Sequence, residues 1–161
     1  MELKTKIIAE DGRQELFITR EFDLPLSLVF KAYAERELFE QWMGTKLLTL
    51  ESRKYGCYQF ETCDPQGNVL FKAGGVFAEF ITDQRITRTF EMENTPFAVQ
   101  LEYLTFEKLS EERSKLTMQI VYKSVELKNQ MLALPFAQGL NMAHNRLQEI
   151  GIKLITDGKE N

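Results

Sequence analysis

The chain has one histidine, His144, and this is the side chain best suited to acid–base chemistry near neutral pH. It follows Leu140 by four residues and precedes Leu147 by three, so on a helix it borders the apolar stripe to which both belong. One interpretation is a polar group presented to a cavity, where it binds a ligand oxygen or acts as an acid or base. The other is a partly buried histidine hydrogen-bonded to a neighbour, and the sequence leaves both open.

Arg88 is a second candidate, because it alternates with Ile86 and Phe90 and should share their face of a strand. A charge on the core side must be paired or lie in a wet cavity. A guanidinium offers a fork of donors that suits a ligand carboxylate. The alternatives are a shifted strand register that exposes Arg88, or a pair with an internal acid such as Glu61, Glu79 or Glu102.

Cys57 and Cys63 lie in one predicted strand, which is too extended for a disulfide between them, so both are predicted to be free thiols. Two cysteines and one histidine do not furnish a closed zinc site of the usual kind. We therefore predict no metal and no other cofactor. The sequence also lacks a recognisable Ser/His/Asp or Cys/His signature of nucleophilic catalysis.

Composition excludes several classes of function. The net charge is −4, and 43% of the 161 residues are hydrophobic and 27% charged, which is ordinary for a soluble protein. A mildly acidic chain without a basic block is a poor candidate for binding nucleic acid or an anionic membrane. No apolar run approaches the roughly 20 residues of a membrane span, and the N-terminus does not resemble a signal peptide. We therefore expect one cytoplasmic domain, residues 1–161.

The elements that must position these side chains start with a strand in "QELFITREF", residues 14–22, where apolar residues alternate. Alternation puts Arg20 on the face of Ile18 and Phe22. An ion pair is expected to hold Arg20 there and so to tie down the end of the strand.

Two short amphipathic helices follow this strand. Pro25 cannot continue a paired strand but suits the first turn of a helix. Gly44 is placed to end the second helix, just after Trp42, the only tryptophan of the chain. We predict Trp42 as a core residue, with direct ligand contact as the alternative.

The middle of the chain predicts six strands in succession, joined by short turns, which indicates an antiparallel meander. Gly74-Gly75 suggests a bulge or bend within one of them. Tyr103, with Val99 and Leu101, is predicted on an inward face. Met118 is predicted on the inward face of another strand, and both residues are assigned to the core or to the wall of a cavity.

The C-terminal part is helical from Val125 onward, with an apolar stripe that includes Leu140 and Leu147. Pro135 is expected to kink this region or to mark where the main helix begins. Met131, near that point, suits the rim of a cavity because methionine adapts to irregular shapes. The order β, α, α, six β and a long α predicts an α+β fold, a curved antiparallel sheet with the long helix across its concave face.

These segments resemble the START-like, helix-grip superfamily, and within it the proteins similar to the activator of heat-shock protein 90 ATPase. The resemblance covers about Glu15 to Leu154. It rests on pieces that occur in the family's order: Arg20-Glu21-Phe22, Pro25, Val29, Trp42 with Gly44, Gly56 to Phe60, Asp64 to Asn68, Gly75, Arg85-Ile86 and Gly139. The chain departs from the family pattern at Met43, Cys57 and Leu140, and His144 stands where the family usually has leucine.

The resemblance implies a helix grip in which Trp42 seals one end against the long helix. It favours a non-catalytic module that holds a small, mostly apolar or lipid-like molecule between sheet and helix. His144, Arg88, Trp42, Tyr103, Met118, Leu140 and Met131 are its candidate ligand-binding residues. Two alternatives stay open: an interaction protein that grips a chaperone partner in a stress response with an exposed sheet face, and a cyclase- or hydratase-type enzyme that uses His144. Self-association into a homodimer is also left open.

Overall fold

A computed structural model of the chain describes residues 3–160. The elements occur in the order β1 (Lys6–Ile8), β2 (Glu15–Phe22), α1 (Leu26–Ala34), α2 (Arg36–Met43), β3 (Lys46–Leu50), β4 (Cys57–Cys63), β5 (Val69–Ile81), β6 (Arg85–Met92), β7 (Gln100–Ser110), β8 (Arg113–Val121), α3 (Val125–Leu132) and α4 (Phe136–Glu160). The predicted order is confirmed, and β1 is an addition that the sequence analysis missed.

The strands form one antiparallel sheet in the order β1-β2-β8-β7-β6-β5-β4-β3. Consecutive strands from β3 to β8 are neighbours, as a meander requires. β2 is the exception, because it pairs along its whole length with β8, from Glu15 opposite Val121 to Phe22 opposite Ser114. This pairing joins the first part of the chain to the end of the meander.

The inward face of the sheet is mainly apolar and is covered by the helices, which confirms the predicted helix-grip fold. Alternate residues of β2 and β8 are buried, among them Leu16, Ile18, Leu116 and Ile120. α4 begins directly after Pro135, as expected, and buries Leu147 against the rest of the core.

Gly44 ends α2 in the left-handed conformation, with φ 66°, which confirms its predicted role. Gly75 is needed for a reason other than the predicted bulge. A Cβ atom at Gly75 would lie 2.0 Å from the carbonyl oxygen of Thr89, so glycine is needed for the close approach of β5 and β6. The register of β5 against β6 shifts between Phe77 and Glu79 instead.

The predicted facing of β7 was wrong by one residue. Gln100, Glu102 and Leu104 are buried on the inward face, whereas Tyr103 is 40% exposed on the outer face. Because side chains alternate along a strand, an error of one residue moves every side chain of the strand to the other side of the sheet.

Candidate functional site

A cavity of about 220 Å³ lies between the inward face of the sheet and the helices. Strands β2, β6, β7 and β8 supply its floor, and residues of α1, α2, α3 and α4 close it. Its lining is Ile18, Tyr33, Trp42, Met43, Arg88, Phe90, Met92, Gln100, Glu102, Met118, Ile120, Met131, Phe136 and Leu140. The wall is thus mainly apolar, with one polar group of three side chains.

Five predicted site residues meet in this lining: Trp42, Arg88, Met118, Met131 and Leu140. Met118 and Met131 are both buried, and Met43 and Met92 join them in the wall. Methionine side chains are flexible and polarisable, so four of them make this wall easy to reshape.

Trp42 is both a core residue and part of the cavity wall. Its side chain is buried, and its indole Nε1–H donates to the carbonyl oxygen of Ala32 at 2.7 Å. The indole packs 4.9 Å from the Tyr33 ring, centroid to centroid. Arg146 of α4 donates to the Trp42 carbonyl oxygen at 3.0 Å, so α2 and α4 are joined where the cavity ends.

The polar group consists of Arg88, Glu102 and Gln100. Arg88 of β6 lies directly opposite Glu102 of β7, and its Nε–H donates to Glu102 Oε1 at 2.8 Å. Gln100 Nε2 donates to the other carboxylate oxygen at 2.7 Å. Of the pairing partners considered for Arg88 from the sequence, the structure selects Glu102.

Two tyrosine rings flank the Arg88 guanidinium, with centroids 5.7 Å (Tyr33) and 5.3 Å (Tyr58) from its central carbon. Burial raises the pKa of both phenols, so both stay protonated. Burial acts to lower the pKa of Arg88, but the charge of the Glu102 carboxylate and its hydrogen bond act the other way, and the net shift of the Arg88 pKa is upward. The cavity therefore holds a permanent cation with a carboxylate beside it.

His144 is fully buried but is not part of the cavity lining. Its Nδ1 forms a hydrogen bond of 2.6 Å with the hydroxyl of Thr5, just before β1. Its Nε2 is enclosed, with no hydrogen-bond partner in the described part of the chain. Burial, together with the charge of Arg20, lowers the pKa of His144 to about 3. This placement fits the interpretation of a buried histidine bonded to a neighbour.

Arg20 lies in the same polar cluster, between β2 and α4. Its Nη1 donates to Asn145 Oδ1 at 2.9 Å and, more weakly, to Asn141 Oδ1 and the Thr5 hydroxyl at 3.4 Å. The expected ion pair is absent among the described residues, because amide and hydroxyl oxygens take its place. Arg20 thus ties the strand to the helix without a carboxylate.

We expect acid to destabilise the protein through His144. The folded-state pKa of about 3 lies below the ordinary value of about 6.5, so below pH 6.5 the unfolded chain binds the proton first. The stability is therefore complete above pH 6.5 and is lost as the pH falls toward 3. Between pH 7 and pH 5.5 the loss should be about 1 kcal/mol.

Urea unfolding of the wild type and of His144→Leu at pH 7.0, 6.0 and 5.5 measures this effect, since no other histidine titrates in that range. The variant should lose most of the pH dependence. Thr5→Val, which removes the hydrogen-bond partner but leaves the imidazole buried, is the matched control and should retain it. Equal slopes for the wild type and His144→Leu would contradict the burial of the ring.

Gln100 and Tyr33 are site residues that the sequence analysis did not single out, and Glu102 was named there only as a possible partner of Arg88. The signal was present in "QLEYLTF", where Gln100, Glu102 and Leu104 alternate as Arg88 does with its apolar neighbours. The apolar alternation of Val99, Leu101 and Tyr103 predicts the opposite face, and Tyr103 lies outside the cavity.

A larger hollow of about 420 Å³ lies beside the Gly74-Gly75 segment, where β4, β5 and β6 meet. Its rim includes the exposed side chains of Val76, Glu91 and Val99. It is more open to solvent than the inner cavity.

In the part of the chain that the structure describes, no group of three or more His, Cys, Asp and Glu side chains is placed to hold a metal ion. No helix within residues 3–160 combines the length and the apolar character needed to cross a membrane.

The sequence pattern of one protein family, described as activator of Hsp90 ATPase homolog 1-like protein, matches residues 23–151. The match spans α1 to α3 and strands β3 to β8, and thus most of the cavity wall. No curated protein matches the chain.

Solved structures share the fold. A protein from Mycobacterium smegmatis is 19% identical, with a TM-score of 0.80 over 92% of this chain and 96% of that one. A protein from Staphylococcus epidermidis is 20% identical, with a TM-score of 0.76 over 89% and 93% of the two chains. CalU16 from Micromonospora echinospora is 15% identical, with a TM-score of 0.62 over 93% and 74%. At these identities the likeness is one of fold.

Proposed function

The chain belongs to the family of activator of Hsp90 ATPase homolog 1-like proteins, and from this premise we propose that it is a cytoplasmic, single-domain binding protein for a small, mostly apolar molecule. The observation that carries the proposal is the cavity of about 220 Å³ with its methionine-rich and aromatic wall. Such concave apolar sites with a few convergent polar groups are typical of ligand pockets.

The cavity volume limits the size of the ligand. An apolar cavity of about 150 Å³ holds a benzene molecule. By the same measure, 220 Å³ suits one ring with a short substituent, about nine non-hydrogen atoms. A whole phospholipid or sterol exceeds this space. A lipid-like ligand would therefore place only part of its chain inside.

Binding is tested with α-methylstyrene, an apolar molecule of the right size. The single indole N–H of Trp42 gives one resonance in a proton–nitrogen NMR spectrum, and it lies at the cavity wall. We expect this resonance to shift in a saturable way. Native mass spectrometry of the freshly purified protein should in addition show a co-purified small molecule.

Two variants of α4 make the test specific for the cavity. Leu140→Phe fills the cavity and should weaken binding about tenfold, the equivalent of 1.4 kcal/mol. Met142→Phe adds the same bulk on the exposed side of the same helix and should change nothing. A Trp42 resonance that does not move up to the solubility limit of the probe would refute the proposed function.

A second candidate function, docking to a chaperone, is favoured by the outer face of the sheet. Ile8, Phe17 and Tyr103 lie along one row of the sheet, since Ile8 pairs with Phe17, and Gln119 joins Phe17 to Tyr103. All three side chains are exposed. ATP hydrolysis by a purified Hsp90-type chaperone, stimulated by the wild type but not by Tyr103→Lys, would support docking. Absence of stimulation would remove this candidate.

The enzyme alternative based on His144 receives no such support. An acid or base must lie within hydrogen-bond reach of the substrate, and the imidazole is enclosed outside the cavity with a pKa of about 3. The groups that face the cavity, Arg88 and Glu102, are better placed to orient a ligand than to transfer a proton.

A further inference from the structure

We propose that the ligand of this cavity carries a neutral oxygen acceptor, such as a ketone, ester or amide carbonyl, which Arg88 binds, and that a free carboxylate is discriminated against. The inference rests on the proposed binding function and names the chemical class of its ligand. Two observations carry it: Arg88 has unused hydrogen-bond donors, and Glu102 already balances its charge.

Arg88 has unused hydrogen-bond donors on the cavity side. A guanidinium offers five N–H donors, and the contact with Glu102 uses the one on Nε. Among the described residues, Nε is the only Arg88 nitrogen that makes a hydrogen bond, so the four donors on its two terminal nitrogens are unused. The side chain keeps 11% of its surface exposed and forms part of the cavity lining, so these donors are available to a ligand.

The charge of Arg88 is already balanced. Glu102 is 2.8 Å from Arg88 Nε and has its second oxygen bound by Gln100. The pair is thus neutral overall before any ligand enters. A neutral carbonyl accepts from the free donors at no electrostatic cost, whereas a carboxylate would bring a second negative charge next to Glu102 in a low-dielectric site.

The rings around Arg88 favour the same chemistry. Tyr33 and Tyr58 lie against the guanidinium, and Tyr58 donates its hydroxyl hydrogen to the Thr89 carbonyl oxygen at 2.6 Å. The Tyr33 hydroxyl makes no hydrogen bond to a described residue, and Tyr33 lines the cavity. It adds a second donor, uncharged, to those of Arg88.

Three probes of nearly the same shape separate the possible preferences. Acetophenone, α-methylstyrene and benzoate each have nine non-hydrogen atoms and present a carbonyl, a methylene and a carboxylate, respectively, at the same position. Their dissociation constants are measured at pH 7.5 by titration of the Trp42 indole resonance. We expect acetophenone to bind about 10- to 100-fold more tightly than α-methylstyrene, because a desolvated hydrogen bond to a charged donor is gained. Benzoate should bind most weakly.

The charge balance is tested with Glu102→Gln, which keeps the shape of the side chain and the oxygen that accepts from Arg88 Nε but removes the negative charge. The Gln100 amide then has to turn, so that its oxygen accepts from the introduced NH2 group. The positive charge of Arg88 then has no counter-charge. The affinity for benzoate should rise at least about tenfold, while the affinity for acetophenone changes less. Arg85→Gln is the matched control, because Arg85 lies on the same strand but is exposed and paired with Glu79. It should leave all three dissociation constants unchanged.

The outcomes distinguish this inference from the proposed function. Equal binding of acetophenone and α-methylstyrene by the wild type would overturn the role of Arg88 as the recognition group, although the cavity would still bind ligands. Benzoate binding more tightly than acetophenone would overturn the charge argument. If none of the three probes binds, both the inference and the proposed function are refuted. The wild-type series decides these points even if Glu102→Gln fails to fold.

Discussion

Arg88→Met is expected to lower the free energy of unfolding by about 3–5 kcal/mol, because it leaves the Glu102 carboxylate buried without its cation. Both side chains are almost completely removed from solvent, with 11% and 6% of their surface exposed. Methionine is similar in length to arginine and apolar like the rest of the wall, so little of the loss should come from packing. Equilibrium urea denaturation at pH 7.5 measures the change.

The double variant Arg88→Met/Glu102→Leu gives the opposite expectation and serves as the control. Replacing both members of a buried ion pair by apolar groups is often neutral or stabilising, since neither charge has to be desolvated. We expect the double variant to recover most of the stability that Arg88→Met loses. If Arg88→Met alone lowered the free energy of unfolding by less than about 1 kcal/mol, the pair would behave as an exposed salt bridge. The cavity would then have to contain water.

Trp42→Ala should also cost about 3–5 kcal/mol, as truncation of a large core aromatic does. The change removes the contacts with Tyr33 and Phe39 and the hydrogen bond to the Ala32 carbonyl oxygen. It also opens the cavity toward the space between α2 and α4. The midpoint of urea denaturation should fall accordingly.

Tyr55→Ala is the comparison for Trp42→Ala. It truncates an aromatic residue that is 77% exposed, and it should change the midpoint little. Trp42→Phe should lie between the two, because it keeps most of the aromatic body and loses the indole donor. An unchanged midpoint for Trp42→Ala would show that this tryptophan is peripheral to the core.

The sequence predicts those parts of the fold in which local pattern and burial agree. The alternation in β2 and β8 is clear, because their inward residues are apolar except for Arg20 and Ser114, and their outward residues are mostly polar. Pro135 and Gly44 mark helix ends through backbone chemistry that needs no tertiary context. The short strand β1 carries too few residues for a periodic signal and is defined by its pairing with β2.

The site is less predictable because its polar residues contradict the pattern that reveals a core. In β7, the inward positions 100 and 102 are polar, while Leu101 and Tyr103 on the outer face are apolar. Hydrophobicity alone therefore selects the wrong face of this strand. Only the register that places Glu102 opposite Arg88 explains why these positions are polar.

His144 shows a second limit to what can be predicted from the sequence. Its spacing correctly places it beside the stripe of α4, but a stripe does not reveal which partner lies across from it. The partner, Thr5, comes from the opposite end of the chain and lies outside every strand. The same spacing would have fitted a histidine that faces the cavity.

The pairing of β2 with β8 has a consequence for how the chain matures during synthesis. Residues 15–22 leave the ribosome early, but their partner strand ends at Val121. At about 5–20 residues per second, the intervening segment of roughly 100 residues takes on the order of 5–20 s to make. Throughout that interval Leu16 and Ile18 lie in a strand whose pairing partner, β8, has not yet been made. The nascent chain then offers a holding chaperone an unpaired strand edge.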